Sequence, residues 1–289
     1  MQIVTDSGTD LNLSPEERLA LNVHVVPLVV TLDSATYYEG VDIDTDSFYT
    51  LLASTGSLPT TSQPSAGAFA QMYRELAAHD PEILSIHISS GLSGTVNSAR
   101  TAADMVPEAR VTVVDTKTLS AGSGWQVEAA ARAAHAGWPL ERILALVARI
   151  SEAADSLFTL KELKYLIHGG RISHMKGLLA SLLNIKPIIA VEKVGGTYVQ
   201  RGQARAFKGA VEGLVALMGR QHAPGSALRV QVMHSNDPEA GQMLRDEVDR
   251  RYDCQWLPLG PMSLVLGAHT GPGMVGVAYA PQAAFADIP

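Results

Sequence analysis

The sequence predicts two domains, an α/β domain over residues 1–156 and an α+β domain over residues 157–289. Three observations predict them. Strand-like and helix-like segments alternate through the first half; a hairpin pattern around Gly195-Gly196 breaks that rhythm in the second; and 289 residues exceed what one core usually supports.

Gln2 to Val4 reads as a short apolar strand leading into the polar turn Thr5-Asp6-Ser7-Gly8-Thr9-Asp10. Ser14-Pro15-Glu16-Glu17 has the form of a capping box with proline at the first helical position, so a helix starts there. The valine-rich run His24 to Leu32 predicts one strand and Ser47 to Ala53 a helix. Pro59 to Ser65 reads as a rigid hydroxyl-rich loop before a helix over Ala66 to Ala78. Ile83 to Ile88, Thr95 to Met105 and Val111 to Val114 form a β-α-β unit, and helices follow at Gly122 to His135 and Leu140 to Ala154. Such alternation calls for a parallel sheet covered on both faces. In the second domain helices are predicted at Leu160 to His168, His174 to Leu183, Ala206 to Gly219 and Pro238 to Tyr252. Ile185 to Lys193 and Thr197 to Gln203 are the arms of the hairpin, and two more strands fall at Leu228 to His234 and Met274 to Tyr279.

Composition removes several function classes. A formal net charge of −7 argues against a general nucleic-acid binder, whose affinity rests on clustered Lys and Arg. Cys254 is the lone cysteine, which excludes an internal disulfide framework and fits a reducing cytoplasm. The start of the chain lacks a basic stretch followed by an apolar one, so no secretory leader is expected. The run from Cys254 to Ala286 carries no Asp, Glu, Lys or Arg, yet repeated Gly and Pro interrupt it, and no integral membrane association is expected.

Four segments could carry chemistry. Ser89-Ser90-Gly91-Leu92-Ser93-Gly94 leaves a strand and enters a helix, where unpaired N–H groups suit a carboxylate; alternatively its glycines shape a turn and Ser93 caps the helix. Thr60, Thr61 and Ser62 present adjacent hydroxyls, either for an oxygen-rich group or as helix caps. Lys161, Lys164, His168, Arg171, His174, Lys176 and Lys186 make a local cationic region, either for an acidic partner or as a solvated face. His269 precedes Gly271-Pro272-Gly273, in a backbone with few alternatives, either to meet a ligand or as a structural histidine. Other patterns fail their context. Gly271 to Gly276 mimics a dinucleotide fingerprint without the flanking strand, helix and acidic residue. Gly91-Leu92-Ser93-Gly94-Thr95 lacks the last glycine of a nucleophile elbow. No P-loop occurs, and the histidines include no metal-binding HExxH pair.

The order of these segments carries more than any one of them. Thr5-Asp6-Ser7, Thr61-Ser62-Gln63-Pro64, Ser89 to Thr95, Val114-Asp115-Thr116, Gly169-Gly170-Arg171-Ile172, Lys186-Pro187-Ile188 and His269 to Gly273 together resemble the DegV family of fatty-acid-binding proteins, over roughly residues 1 to 281. The resemblance implies an N-terminal three-layer α/β/α domain with a parallel sheet and a C-terminal two-layer domain with a mixed sheet. It implies that a long-chain fatty acid such as palmitate, stearate or oleate lies between them, its tail in an apolar tunnel. Carried over position by position, Thr61 and Ser93 look like the carboxylate-binding hydroxyls, Ser62 and Gly94 their neighbours, and His269 a group beside the carboxylate. Arg171 falls near that site or the partner surface. The same resemblance implies no cofactor, no metal and no catalytic residue, but a role as the cytoplasmic fatty-acid-binding subunit of a fatty acid kinase whose ATP-binding subunit is a separate chain. Two rival readings are a serine hydrolase built on Ser93, Asp115 and His269 in that order, and a lipid carrier or sensor that works without a kinase.

Overall fold

The computed structural model of the chain describes residues 1–175 and 185–289. Its first half runs β1 (Gln2–Asp6), α1 (Pro15–Ala20), β2 (Val23–Val26), β3 (Val29–Leu32), β4 (Ala35–Tyr38), α2 (Thr45–Thr55), β5 (Thr60–Ser62) and α3 (Ala66–Ala77). It continues through β6 (Glu82–His87), α4 (Thr95–Asp104), β7 (Arg110–Asp115), α5 (Ser120–His135) and α6 (Leu140–Ala153). The capping box is present at α1: the Ser14 hydroxyl accepts from Glu17 N–H, and the Glu17 carboxylate accepts from Ser14 N–H.

The parallel sheet has four strands in the order β2-β1-β6-β7. The chain winds outward from β1 in one direction and then from β6 in the other, so the carboxyl ends of these two strands flank a topological switch point, where open α/β sheets bind ligands. Helices α3 and α4 pack Phe69, Tyr73, Ala99 and Ala102 against one face, and α5 covers the other. The predicted single strand His24 to Leu32 is in fact two. Pro27 cannot donate to a ladder, and beyond it β3 joins a three-stranded antiparallel sheet of order β4-β3-β5. The predicted loop Pro59 to Ser65 likewise contains β5, whose Thr61 pairs with Val30 of β3.

The second half contributes β8 (Asp155–Thr159), α7 (Lys164–His168), β9 (Lys186–Val191), β10 (Tyr198–Ala204), α8 (Phe207–Met218) and β11 (Ala227–His234). After these come α9 (Pro238–Asp249), β12 (Asp253–Trp256), β13 (Gly260–Pro261), α10 (Leu264–Thr270) and β14 (Val275–Pro281). The mixed sheet runs β10-β9-β8-β14-β11-β12, with β13 extending the end of β11. The hairpin of β9 and β10 is as the sequence predicts. The expected helix from Leu160 shortens to α7, and an unpredicted strand, β8, ends just before it at Thr159, paired with β14 and β9. Of the expected helix His174 to Leu183, Arg171–His174 is a 3-10 turn and residues 176–184 lie outside the described ones.

Helices α8 and α9 bury Val211, Leu214, Leu244 and Val248 against one face of the mixed sheet. Its other face meets α5, twelve of whose sixteen residues are buried. A helix dominated by Ala, Gly and Ser, whose charged residues are confined to Glu128, Arg132 and His135 in its second half, packs almost all round inside a protein. One core therefore runs from Ile3 and Ile86 of the parallel sheet through Trp125 and Ala129 to Phe158, Ile189 and Ala278 of the mixed sheet. Gln231 of β11 ties the halves together, accepting from Trp125 Nε1 at 3.1 Å and from Asn12 Nδ2 at 2.7 Å. Among the described residues no helix is long and apolar enough to cross a membrane.

Candidate functional site

Five of the six predicted site residues, Thr61, Ser62, Ser93, Arg171 and His269, form the polar part of the wall of one cavity of about 400 Å³, whose remaining wall is largely apolar. They arrive from four directions: β5, the loop entering α4, the 3-10 turn after α7, and α10. The sixth, Gly94, stands just behind it. A Cβ on Gly94 would run into the side chain of Gln63, which lines the cavity. The glycine there makes room for Gln63; its φ of −77° is ordinary.

Thr61 and His269 are 208 positions apart, and Thr61 Oγ1 lies 2.7 Å from His269 Nε2. Burial, then the nearby Arg171 and His168 charges, push the His269 pKa down to about 3, so the ring is neutral at ordinary pH. With its proton on Nε2, His269 donates to Thr61 and frees the threonine hydroxyl hydrogen for an anion. The bare Nδ1 then needs no donor, in keeping with its lack of a hydrogen-bond partner among the described residues. Gly169 packs against this edge of the ring, where a Cβ would collide with it.

Ser93 stands one residue before Gly94, the N-cap of α4, and faces the cavity. Its Oγ accepts from Thr95 N–H at 3.3 Å and lies 2.8 Å from Thr95 Oγ1. The Gly94, Val96 and Asn97 N–H groups at this helix start have no protein acceptor among the described residues, the unfilled donors that suit a carboxylate. Arg171 donates from Nε to Leu92 O at 3.2 Å and from Nη1 to Gly169 O at 2.7 Å. That fork fixes the guanidinium between two loops and leaves Nη2 without a protein acceptor among the described residues. Arg171 is thus a wall of the cavity, and a cation accompanies the neutral donors.

Three lysines of the cationic region are engaged elsewhere. Lys161 pairs with Asp237 at 2.5 Å and Lys164 with Glu162 at 2.5 Å, while Lys186 donates to Lys161 O at 2.5 Å. Lys176 lies outside the described residues. The hydrolase arrangement is not assembled: Ser93 bonds Thr95, His269 bonds Thr61, and Asp115 is held by Ser90 at 2.5 Å and Lys117 at 2.9 Å.

A second cavity, about 440 Å³ and almost wholly apolar, lies between α5 and the mixed sheet; Leu157, Phe158, Val191, Met233, Met262 and Met274 are among its walls. Leu119 and Tyr198 line both cavities, so a polar chamber meets an apolar one inside the protein. Sequence reading missed the residues of this junction, and also Gln63. Gln63 sat in a recognised segment, and the Gly195-Gly196 turn points to Tyr198, but nothing local tells which face of β10 meets a void.

The fold and site define a two-domain protein with a parallel and a mixed sheet and a chamber carrying polar groups beside an apolar one. The family described as "Uncharacterised protein, DegV family" matches residues 1–282, and the chain belongs to it. A DegV domain-containing protein of Deinococcus radiodurans is 34% identical over 281 residues, covering 97% of this chain and 96% of that protein. Two solved structures share the architecture. A DegV family protein from Thermus thermophilus, described for its fatty acid binding, has a TM-score of 0.86 at 35% identity, covering 97% of this chain and 99% of that one. DegV from Bacillus subtilis, described as a fatty acid binding protein, has a TM-score of 0.86 at 29% identity, covering 96% and 98%.

Proposed function

We propose that this chain binds a long-chain fatty acid such as palmitate, stearate or oleate between its domains, residues 1–156 and 157–289, and presents the carboxylate to a separate ATP-binding kinase subunit for acyl phosphate formation. The observation that carries the reading is the junction of the two chambers at Leu119 and Tyr198. The relatives from Thermus thermophilus and Bacillus subtilis, named for fatty acid binding, support it.

Each buried methylene contributes about 0.8 kcal/mol, so a dozen in the apolar chamber contribute on the order of 10 kcal/mol. The carboxylate would cost several kcal/mol if buried unpaired. Thr61, Ser93, the N–H groups at the start of α4 and Arg171 offset that cost with hydroxyl, amide and guanidinium donors. Neutral His269 orients Thr61, and Ser62 and Gly94 shape the same pocket. The sequence carries no P-loop, which is consistent with a phosphoryl donor bound on another chain. A cytoplasmic setting fits the single free cysteine.

Native mass spectrometry of the purified protein with lipid extraction tests the binding: a fatty acid mass adduct is expected, and an unliganded protein that also refuses added palmitate overturns the proposal. In calorimetry, Thr61→Ala with Ser93→Ala is expected to weaken palmitate binding by roughly 100-fold without unfolding the chain; unchanged affinity removes both residues from the site. For the kinase step, capture of an ATP-binding partner that forms acyl phosphate from the loaded protein is expected. A loaded protein that captures none is a carrier or sensor.

A further inference from the structure

Tyr198 opens β10 and sits where the polar and apolar chambers meet, lining both. Its ring is held edge-to-face on Phe158, with centroids 5.2 Å apart and planes at 67°, so its orientation is set by the mixed sheet. The residue is 4% exposed. A buried tyrosine hydroxyl ordinarily finds a hydrogen-bond partner, yet this one makes no side-chain hydrogen bond among the described residues, whereas buried Tyr73 and Tyr279 bond Ser85 and Gln221 at 2.7 and 2.8 Å. β10 packs against the 3-10 turn that carries Arg171, and the Arg171 charge is close enough to act on the phenol. Tyr198 and Arg171 thus line the same chamber, in which Nη2 has no protein acceptor among the described residues.

We infer that Tyr198 is a further ligand-binding residue, whose O–H donates to the carboxylate of the bound fatty acid next to Arg171 while its ring walls the first methylenes of the tail. The inference rests on the fatty-acid reading and adds to it a donor from the hairpin of the second domain. It also implies a preference for acids over uncharged lipids of equal length, because a phenol beside an arginine strengthens its bond to an anion more than to an alcohol.

The test uses the full chain, stripped of lipid, with palmitate and 1-hexadecanol competing against a fluorescent fatty acid. Tyr198→Phe keeps the ring and the contact with Phe158. It is expected to weaken palmitate about tenfold and 1-hexadecanol less than twofold. Equal palmitate affinity in wild type and Tyr198→Phe overturns the assignment while the fatty-acid reading stands, and so does equal weakening of both probes, which makes Tyr198 a wall only. Failure of the wild type to bind palmitate takes down both. Should the variant not fold, carbon-13 labelling of tyrosine Cζ in the wild type decides. The Tyr198 resonance is expected to move with palmitate and not with 1-hexadecanol, and an unmoved resonance overturns the assignment.

Discussion

Two polar regions are built at opposite ends of α10, and only one suits an anion. At its C-terminal end His269 faces the chamber of Thr61, Ser93 and Arg171, where donors outnumber acceptors and no Asp or Glu lines the wall. At its N-terminal end Asp6, Asp10 and Glu39 line a cleft with Ser7 and Arg18. These carboxylates are already engaged. Glu39 accepts from Ser7 Oγ at 2.6 Å, from Ser263 Oγ at 2.9 Å and from Leu264 N–H; Asp10 accepts from Ser263 N–H at 2.7 Å and Ser120 Oγ at 2.5 Å. They cap a helix whose own N-cap side chain does not. The lesson is that hydroxyls alone do not mark a site. Serines abound in both regions, and what separates them is whether an acidic side chain has already taken the donors.

The largest expected effect lies on the acidic side. Asp6 Oδ2 lies 2.9 Å from His87 Nδ1 with both side chains fully buried, and the same carboxylate accepts from Gly8 and Ile88 N–H. Asp6→Ala should cost about 3–5 kcal/mol in urea unfolding; a loss below about 1 kcal/mol would show that this knot is dispensable. Next in size, Arg171→Met should raise the palmitate dissociation constant roughly 10- to 100-fold, whereas Arg18→Met in the acidic cleft should leave it unchanged. Equal effects would erase the distinction between the two regions. Gly169→Ala should then cost about 1–3 kcal/mol of stability, because the added methyl displaces the His269 ring. A crystal structure of that variant with the ring unmoved would refute the packing argument.

A pH slope is expected as well. Burial raises Asp10 from 3.8 to about 8 and Glu39 from 4.5 to about 7, with neighbouring carboxylates adding to it and hydrogen bonds from Ser120, Ser7 and Ser263 pulling the other way. The folded state then holds protons that the unfolded chain has released. Their stabilisation is complete below the unfolded values and is lost as pH rises through 4 toward 8. His269 acts oppositely: lowered from 6.5 to about 3, it favours the folded state above pH 6.5 and loses that contribution as pH falls toward 3. Thermal unfolding midpoints should decline from pH 5 to pH 8, and Asp10→Asn should flatten the decline. An unchanged slope in that variant would assign the protons elsewhere.

Much of the fold could be read locally. Apolar periodicity found α3, α4, α6, α8 and α9 within a few residues of their ends, and the glycine pair found the β9–β10 hairpin. What escaped were elements whose identity depends on a distant partner. β5 is three residues of Thr and Ser that become a strand because Val30 and its neighbours offer an open edge. α10 is a seven-residue helix with no side-chain cap of its own, completed by Asp10 and Glu39 from the other end of the chain. Resemblance named Thr61, Ser93, Arg171 and His269, but the residues at the chamber junction have no such signal.

By itself the sequence determined the elements whose pattern is short-range: helices whose apolar residues recur along one face, the capping box at Ser14, the order of the polar loops and the family they spell. Tertiary structure alone decided that the chain past Pro27 leaves one sheet for another, that α5 serves as the shared filling between two sheets, and that an apolar void is left beside a polar one. The reason is that periodicity reports which face of a segment turns inward, whereas a cavity exists only where several inward faces from remote segments fail to meet.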